Sequence, residues 1–146
     1  MADRYDRAAH IALVLESVTL LSQMIASGPR VLFHGRDLTR TQMRALFVLA
    51  HDESPVTPGR LAKVLGITAG AITQLIDGLK DQKLVETVPN PNDARSRVIR
   101  LTANADDEVR RFERSTVERM MPRFAAVDDA GLTALSQTIS RITKEP

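Results

Sequence analysis

Residues 57–101 read TPGRLAKVLGITAGAITQLIDGLKDQKLVETVPNPNDARSRVIRL, and this stretch decides the fold. Thr57-Pro58 is a helix-start signal: a hydroxyl that accepts a free backbone N–H, then a proline whose missing donor costs nothing at the first helical position. Leu61, Ala62, Val64 and Leu65 fill the short helix it opens, and Gly66 ends it. Thr68 caps the next helix, where Ile72, Leu75, Ile76 and Leu79 recur at helical spacing up to about Gln82. A small Ala62 at a close crossing, Gly66 at the turn and Ile72 anchoring the second helix have the layout of a helix-turn-helix. Residues 84–88 and 97–101 are short and rich in branched side chains. The eight residues between them include Pro89, Asn90, Pro91, Asn92 and Asp93, which predicts a hairpin with a long polar tip.

Upstream, Thr39-Arg40-Thr41-Gln42 has capping-box spacing and opens a helix running to about His51. Before it, Ile11, Val14, Leu15, Val18, Leu21 and Ile25 recur at helical spacing over residues 8–25, and Leu13, Leu20 and Met24 widen the stripe to two sides. Gly28-Pro29 stops that helix, and a loop runs to Leu38. Downstream, Thr102 opens a long helix lined by Ala105, Val109, Phe112, Thr116, Met120 and Phe124, with Pro122 expected to kink it. After Asp128-Asp129, Leu132, Leu135, Ile139 and Ile142 step by three, four and three, a short heptad-like seam. Three helices, a hairpin and two more helices predict a mainly α chain with a small β wing, which is the order of a winged helix-turn-helix.

Composition narrows the function. At 146 residues the chain is about one domain's worth. It has no cysteine, so disulfides, thiolate metal sites and Cys nucleophiles are excluded, and a reducing cytoplasm suits it. One Tyr, four Phe and no Trp leave little for a platform that stacks single-stranded bases. The longest uncharged runs, residues 17–29 and 64–76, fall short of the ~20 residues that span a bilayer, and the start lacks the basic-then-apolar order of an export signal. No membrane partner is expected. His10, His34 and His51 stand too far apart for a local ligand pair, so no metal and no cofactor are expected.

Several motifs together carry a family resemblance. Leu38-Thr39-x-x-Gln42, Leu61-Ala62-x-x-Leu65-Gly66-Ile67, Ile72-Thr73-x-Leu75-Ile76-Asp77-x-Leu79 and above all Asp93-Ala94-Arg95-Ser96-Arg97 running into Leu101-Thr102 resemble the MarR family of bacterial transcriptional regulators. The resemblance implies a single domain over 1–146, with residues 1–37 and 102–146 as dimerisation helices and 38–101 as a winged-helix DNA-binding lobe. It implies an intertwined homodimer, with Ile11, Leu15, Val18, Leu132, Leu135, Ile139 and Ile142 at the interface. It also implies a pseudo-palindromic double-stranded operator and, as the family's commonest outcome, repression. The same resemblance puts a bracing role on Asp93 and a minor-groove role on Arg95. Relatives often take a small aromatic or phenolic effector. By that resemblance His10, Arg30, Phe33, His34, Met43 and Phe47 are candidates to line its cleft, although Met43 and Phe47 also sit at the spacing of plain core.

Charge supports the DNA reading modestly. Residues 58–100 carry seven basic side chains (Arg60, Lys63, Lys80, Lys83, Arg95, Arg97, Arg100) against four acidic ones (Asp77, Asp81, Glu86, Asp93), whereas the whole chain nets +2. The recognition helix departs from many relatives in having Gln74 where they place an arginine. Thr68, Ala69, Gly70, Ala71, Thr73 and Gln74 remain for the major groove, with Lys63, Arg95 and Arg97 as further DNA contacts. Methyl groups suit thymine, hydroxyls suit phosphate and an amide suits adenine, so an A·T-rich operator is expected. An enzyme is not expected. No nucleophile elbow, phosphate-binding glycine loop or dinucleotide fingerprint occurs, and the pairs Asp106-Asp107 and Asp128-Asp129 sit where helix N-termini favour negative charge. The alternative is a winged-helix protein-interaction module without specific DNA binding, which would not need Arg95 and whose binding would not follow the salt dependence of phosphate contacts.

Overall fold

The computed structural model describes residues 2–28 and 37–143. The chain divides into two units, residues 30–114 and residues 1–29 with 115–146.

In the first of these, three N-caps set three helices. Helix α2 (Arg40–His51) opens on a closed capping box, Gln42 N donating to Thr39 Oγ1 at 3.2 Å and Thr39 N donating to Gln42 Oε1 at 2.9 Å. Helix α3 (Pro58–Leu65) begins with Arg60 N donating to Thr57 Oγ1 at 3.2 Å. It ends at Gly66, whose φ of 68° is the left-handed geometry that a residue without Cβ takes at no cost. Helix α4 (Ala69–Asp81) starts where Ala71 N donates to Thr68 Oγ1 at 3.2 Å. At its far end Lys83 turns left-handed (φ 59°), and Leu84 N reaches back to the Leu79 carbonyl at 2.9 Å, sending the chain directly into the hairpin.

Strands β1 (Val85–Asn90) and β2 (Asp93–Leu101) pair antiparallel from Val85↔Leu101 to Pro89↔Arg97, with a further pair Asn90↔Asp93. The tip is therefore much shorter than the composition suggests, since only Pro91 and Asn92 form the turn. Polar side chains hold it: Asn90 Nδ2 donates to Ser96 Oγ at 2.8 Å and Asn92 N to Asn90 Oδ1 at 3.0 Å. The register slips between Pro89 and Asn90, so residues 94–96 bulge from β2 without partners across the ladder. Val56, in the α2–α3 connection, adds a third strand-like contact, its carbonyl accepting from Ile99 N at 2.8 Å.

Alternating burial closes the core of this unit. Leu46 of α2, Leu61 of α3, Leu79 of α4, Leu84 and Val109 are fully enclosed, joined by Ile72, Ile76, Val85, Ile99 and Ala105. Met43, Phe47 and Leu75 pack half-buried against them. The second helix of the motif thus buries one face at Ile72, Ile76 and Leu79 and turns the other outward.

The other unit holds α1 (Ala2–Ala26), the end of α5 (Ala103–Met120) and α6 (Asp129–Thr143). Helix α1 begins six residues before the expected start at residue 8. Its C-terminus is closed by Arg119, which donates from Nη1 to the Met24 carbonyl and from Nη2 to the Ile25 carbonyl, both at 3.0 Å. Pro122 does not kink a longer helix. It ends α5 at Met120, because its ring crowds the Glu118 carbonyl one turn back and it has no N–H to give that carbonyl, and Met121–Phe124 continue as a single 3₁₀ turn. Helix α6 is capped by Asp128 Oδ1, which accepts from Gly131 N at 2.8 Å. Helix α1 is apolar and uncovered, with Leu15 62% exposed, and Asp6–Ala26 is long and apolar enough to cross a membrane by length and composition.

Because Leu61 has no exposed surface, Leu61→Ala should destabilise the 30–114 unit by about 2–5 kcal/mol, the range for emptying a closed leucine site. Chemical denaturation measures this, and a loss under about 1 kcal/mol would mean that the site collapses.

Candidate nucleic-acid interface

The outward face of α4 is unusually slight. Ala69, Gly70, Ala71, Thr73, Gln74 and Asp77 are all exposed, and nothing lies within 4 Å of the position a Cβ would take at Gly70. The two threonines are committed differently. Thr68 Oγ1 accepts from Ala71 N, which leaves its own proton free for an outside acceptor. Thr73 Oγ1 spends its proton on the Ala69 carbonyl at 3.1 Å, so it keeps only acceptor capacity and a methyl group. The Gln74 amide is exposed and makes no hydrogen bond to any described residue. Lys63 is exposed on α3.

The wing presents Arg95 on the three-residue bulge. Asp93 Oδ1 accepts from the backbone N of Arg95 at 3.0 Å, so the aspartate fixes the main chain and the guanidinium has no partner among the described residues. Ser96 Oγ donates to the Asp93 carbonyl at 3.2 Å and completes the tip. Arg97 differs, for its Nη2 donates across the hairpin to the Thr87 carbonyl at 3.1 Å and lies along the wing.

Ion pairing revises the charge of this surface. Arg60 is held by Asp52 through two bonds of 2.8 and 3.0 Å, and Arg100 by Glu86 at 2.6 Å. Both cations are thereby neutralised. Lys63, Lys80, Lys83 and Arg95 are exposed with no acidic partner among the described residues, as are Arg40 and Arg44 one turn apart on α2, which the count over 58–100 leaves out. Burial tends to raise the Asp52 carboxyl, but the Ser54 amide and Arg60 outweigh it and hold that carboxyl below its ordinary value.

The other candidates fall in several places. Met43 and Phe47 lie against the core; Phe47 stacks on His51, its ring centroid 6.5 Å away, and meets Phe112 edge-on at 5.6 Å, while His51 Nε2 contacts Glu113 Oε1. No periodicity singles out His51, Phe112 and Glu113 as one group, because α2 and α5 lie far apart in sequence. His10 is exposed on α1 with Nδ1 2.8 Å from the Asp6 carbonyl. Arg30, Phe33 and His34 lie outside the described residues. Ile11, Leu15, Val18, Leu135, Ile139 and Ile142 are exposed and Leu132 is half-buried. Among the described residues no three His, Asp or Glu side chains gather as metal ligands.

Comparison with known proteins bears on the same segment. The model of the MarR family matches residues 36–96, from four residues before α2 into the wing. Over 66 residues the chain is 38% identical to the multiple antibiotic resistance protein MarR of Salmonella typhimurium, a match covering 45% of each chain. Residues 36–96 of the chain are thus similar to the MarR family. In that match the chain spans less than half the length of the relative. The fold extends further than the sequence likeness: a MarR family protein from Bacillus stearothermophilus superposes with a TM-score of 0.70 over 92% of this chain and 93% of that one, at 16% identity. S. aureus MepR bound to ethidium bromide superposes with a TM-score of 0.58 over 92% of both chains, at 18% identity. The fold is thus that of a winged helix, mostly helical with one two-stranded wing among the described residues.

Two expectations follow from the geometry. Asp52, being depressed, contributes stability that is present above the ordinary carboxylate pKa of about 3.9 and is lost as the pH falls through its lowered value. Arg60→Ala should therefore move the Asp52 titration upward, read by NMR of its carboxyl carbon, and an unmoved midpoint would mean that the pair does not form in solution. Asp93→Ala should speed hydrogen exchange of the Arg95 amide, since that N–H loses its acceptor.

Proposed function

We propose that this chain is a sequence-specific, double-stranded DNA-binding transcriptional regulator, a repressor acting as a homodimer on a pseudo-palindromic operator. The observation that carries the reading is the wing tip. There an aspartate holds the backbone of Arg95 and leaves its guanidinium without a partner among the described residues, on the same winged helix as a recognition helix whose exposed face carries, in its first two turns, only small side chains and Gln74. In this reading residues 38–101 are the DNA-binding lobe. Helix α4 enters a major groove, Arg95 the adjacent minor groove, and Lys63 neutralises phosphate while Arg97 supports the wing from behind. Thr68 keeps a free proton for a phosphate oxygen. Each such charge contact releases counterions, so affinity should fall steeply with salt.

Residues 1–37 and 102–146 form the dimerisation part. Support comes from α1 and α6, whose apolar residues are uncovered in a single chain. Leu15, Leu135 and Ile142 stand 62%, 45% and 71% exposed, more apolar surface than a lone soluble chain carries without a partner. A second copy covers them, and this occupant explains the apolar 6–26 segment without a bilayer, in keeping with a cytoplasmic regulator that has Glu16 in mid-helix. Relief by a small aromatic effector is part of the proposal. Its support is the S. aureus MepR structure with ethidium bromide and the aromatic candidates named above. No catalytic role and no cofactor belong to this reading.

Selection of bound duplexes from a random pool at two salt concentrations tests it: an inverted repeat with salt-sensitive affinity is expected. Recovery of no motif, with binding independent of salt, would favour a protein-interaction module instead. Arg95→Ala should weaken operator binding by about 1–3 kcal/mol, the scale of one specific side-chain contact, and an unchanged affinity would mean that the wing does not touch DNA. Leu135→Glu should split the dimer, because it would bury an unpaired carboxylate. Sedimentation reads this, and a variant that stays dimeric would remove α6 from the interface.

A further inference from the structure

Helix α4 is fitted to read with only its first two turns. Going round the helix, Gly70, Gln74, Asp77 and Asp81 follow one another along the outward face, opposite the buried Ile72, Ile76 and Leu79. The N-terminal half of that face has no charge, whereas the C-terminal half carries two exposed carboxylates. Phosphates flanking a groove would repel Asp77 and Asp81, so the helix can approach a duplex closely only by its first turns. Within those turns chemistry leaves few readers. Ala69 and Ala71 offer methyl groups, and Thr73 offers a methyl group and an acceptor because its proton is taken by the Ala69 carbonyl. Within α4, Gln74 alone presents a donor and an acceptor together that have no partner among the described residues. One turn before it, Gly70 leaves open the space where a Cβ would stand. Glycine there costs helix stability relative to alanine, and its neighbours do not require it, since nothing would touch the added methyl.

Resting on the DNA-binding reading above, we propose that Gln74 is the specificity-determining residue and that it reads one adenine in each half-site through the notch at Gly70. A side-chain amide pairs with the N6 donor and N7 acceptor of adenine, and the surrounding methyl groups favour the thymine methyl of neighbouring pairs. Guanine, which shows two acceptors at its major-groove edge, has no matching fork on this face, since α4 has no cation before Lys80.

The test uses the full-length protein and the duplex recovered by pool selection, with fluorescence anisotropy on variants of both. An A·T pair is expected at one fixed position of each half-site. Exchanging it for G·C should weaken the wild type roughly tenfold or more, the size of one bidentate base contact. Gln74→Ala should bind both duplexes alike. Gly70→Ala should melt at the same temperature or higher, yet bind the A·T duplex several-fold more weakly, which separates close approach from folding. A recovered motif without a fixed A·T position, or discrimination retained in Gln74→Ala, would overturn the role of Gln74 while leaving DNA binding intact. A Gly70→Ala variant with wild-type affinity would overturn the notch. Failure to retain any duplex would overturn the DNA-binding reading itself, and this inference with it.

Discussion

The hydrogen bond from Ile99 N to the Val56 carbonyl is the constraint around which the winged helix is organised. One such bond contributes only about 1 kcal/mol, but its position matters more than its size. It fastens the α2–α3 connection to β2, so the helix-turn-helix and the wing share one edge of structure. Val56 and Ile99 then bury together with Leu61, Leu79 and Leu84. With that edge fixed, the exit of α4 through the left-handed Lys83 admits a single course into β1. The outward face of α4 and the strands that bear the wing tip are consequently fixed on one core.

Legibility in the sequence follows the range of the interaction. The caps at Thr39, Thr57 and Thr68, the stop at Gly66 and the buried stripe Ile72, Ile76 and Leu79 depend on residues within a turn or so of one another, and the order of residue types alone is enough to place them. The wing tip misleads because Pro, Asn and Asp signal a turn by composition. Here Asn90 and Asp93 belong to the ladder, and a bulge absorbs residues 94–96. Val56 leaves no trace in the sequence, since a one-residue bridge has no period. Pro122 marks a break, but whether a proline bends a helix or ends it depends on what packs beyond it. Arg119 closes a helix more than ninety positions earlier, and nothing local announces that.

For the candidate interface, residue types are legible and their commitments are not. A count over 58–100 treats seven cations as equal. The structure withdraws Arg60 and Arg100 into ion pairs, ties Arg97 to the Thr87 carbonyl and leaves Lys63, Lys80, Lys83 and Arg95 facing water, with Arg40 and Arg44 added from α2. Likewise Thr68 and Thr73 look interchangeable as hydroxyls, yet one retains its proton and the other has given it away. Electrostatic reach toward a polyanion depends on these unspent groups rather than on the net charge of +2.

The closure of α1 by Arg119 bears on how this sequence can change over time. A Cβ on Gly28 would lie 2.3 Å from the Arg119 Cζ, so a side chain there displaces the guanidinium from the Met24 and Ile25 carbonyls and leaves them Ser27 Oγ and Gly28 N as donors. The two positions are therefore not independent. Replacing Arg119 first forfeits the cap and leaves Gly28 free to vary afterwards. Replacing Gly28 first gives up the same contacts, since the end of the flexible Arg119 side chain must swing aside. The Arg119 contacts thus last only for as long as position 28 carries no side chain.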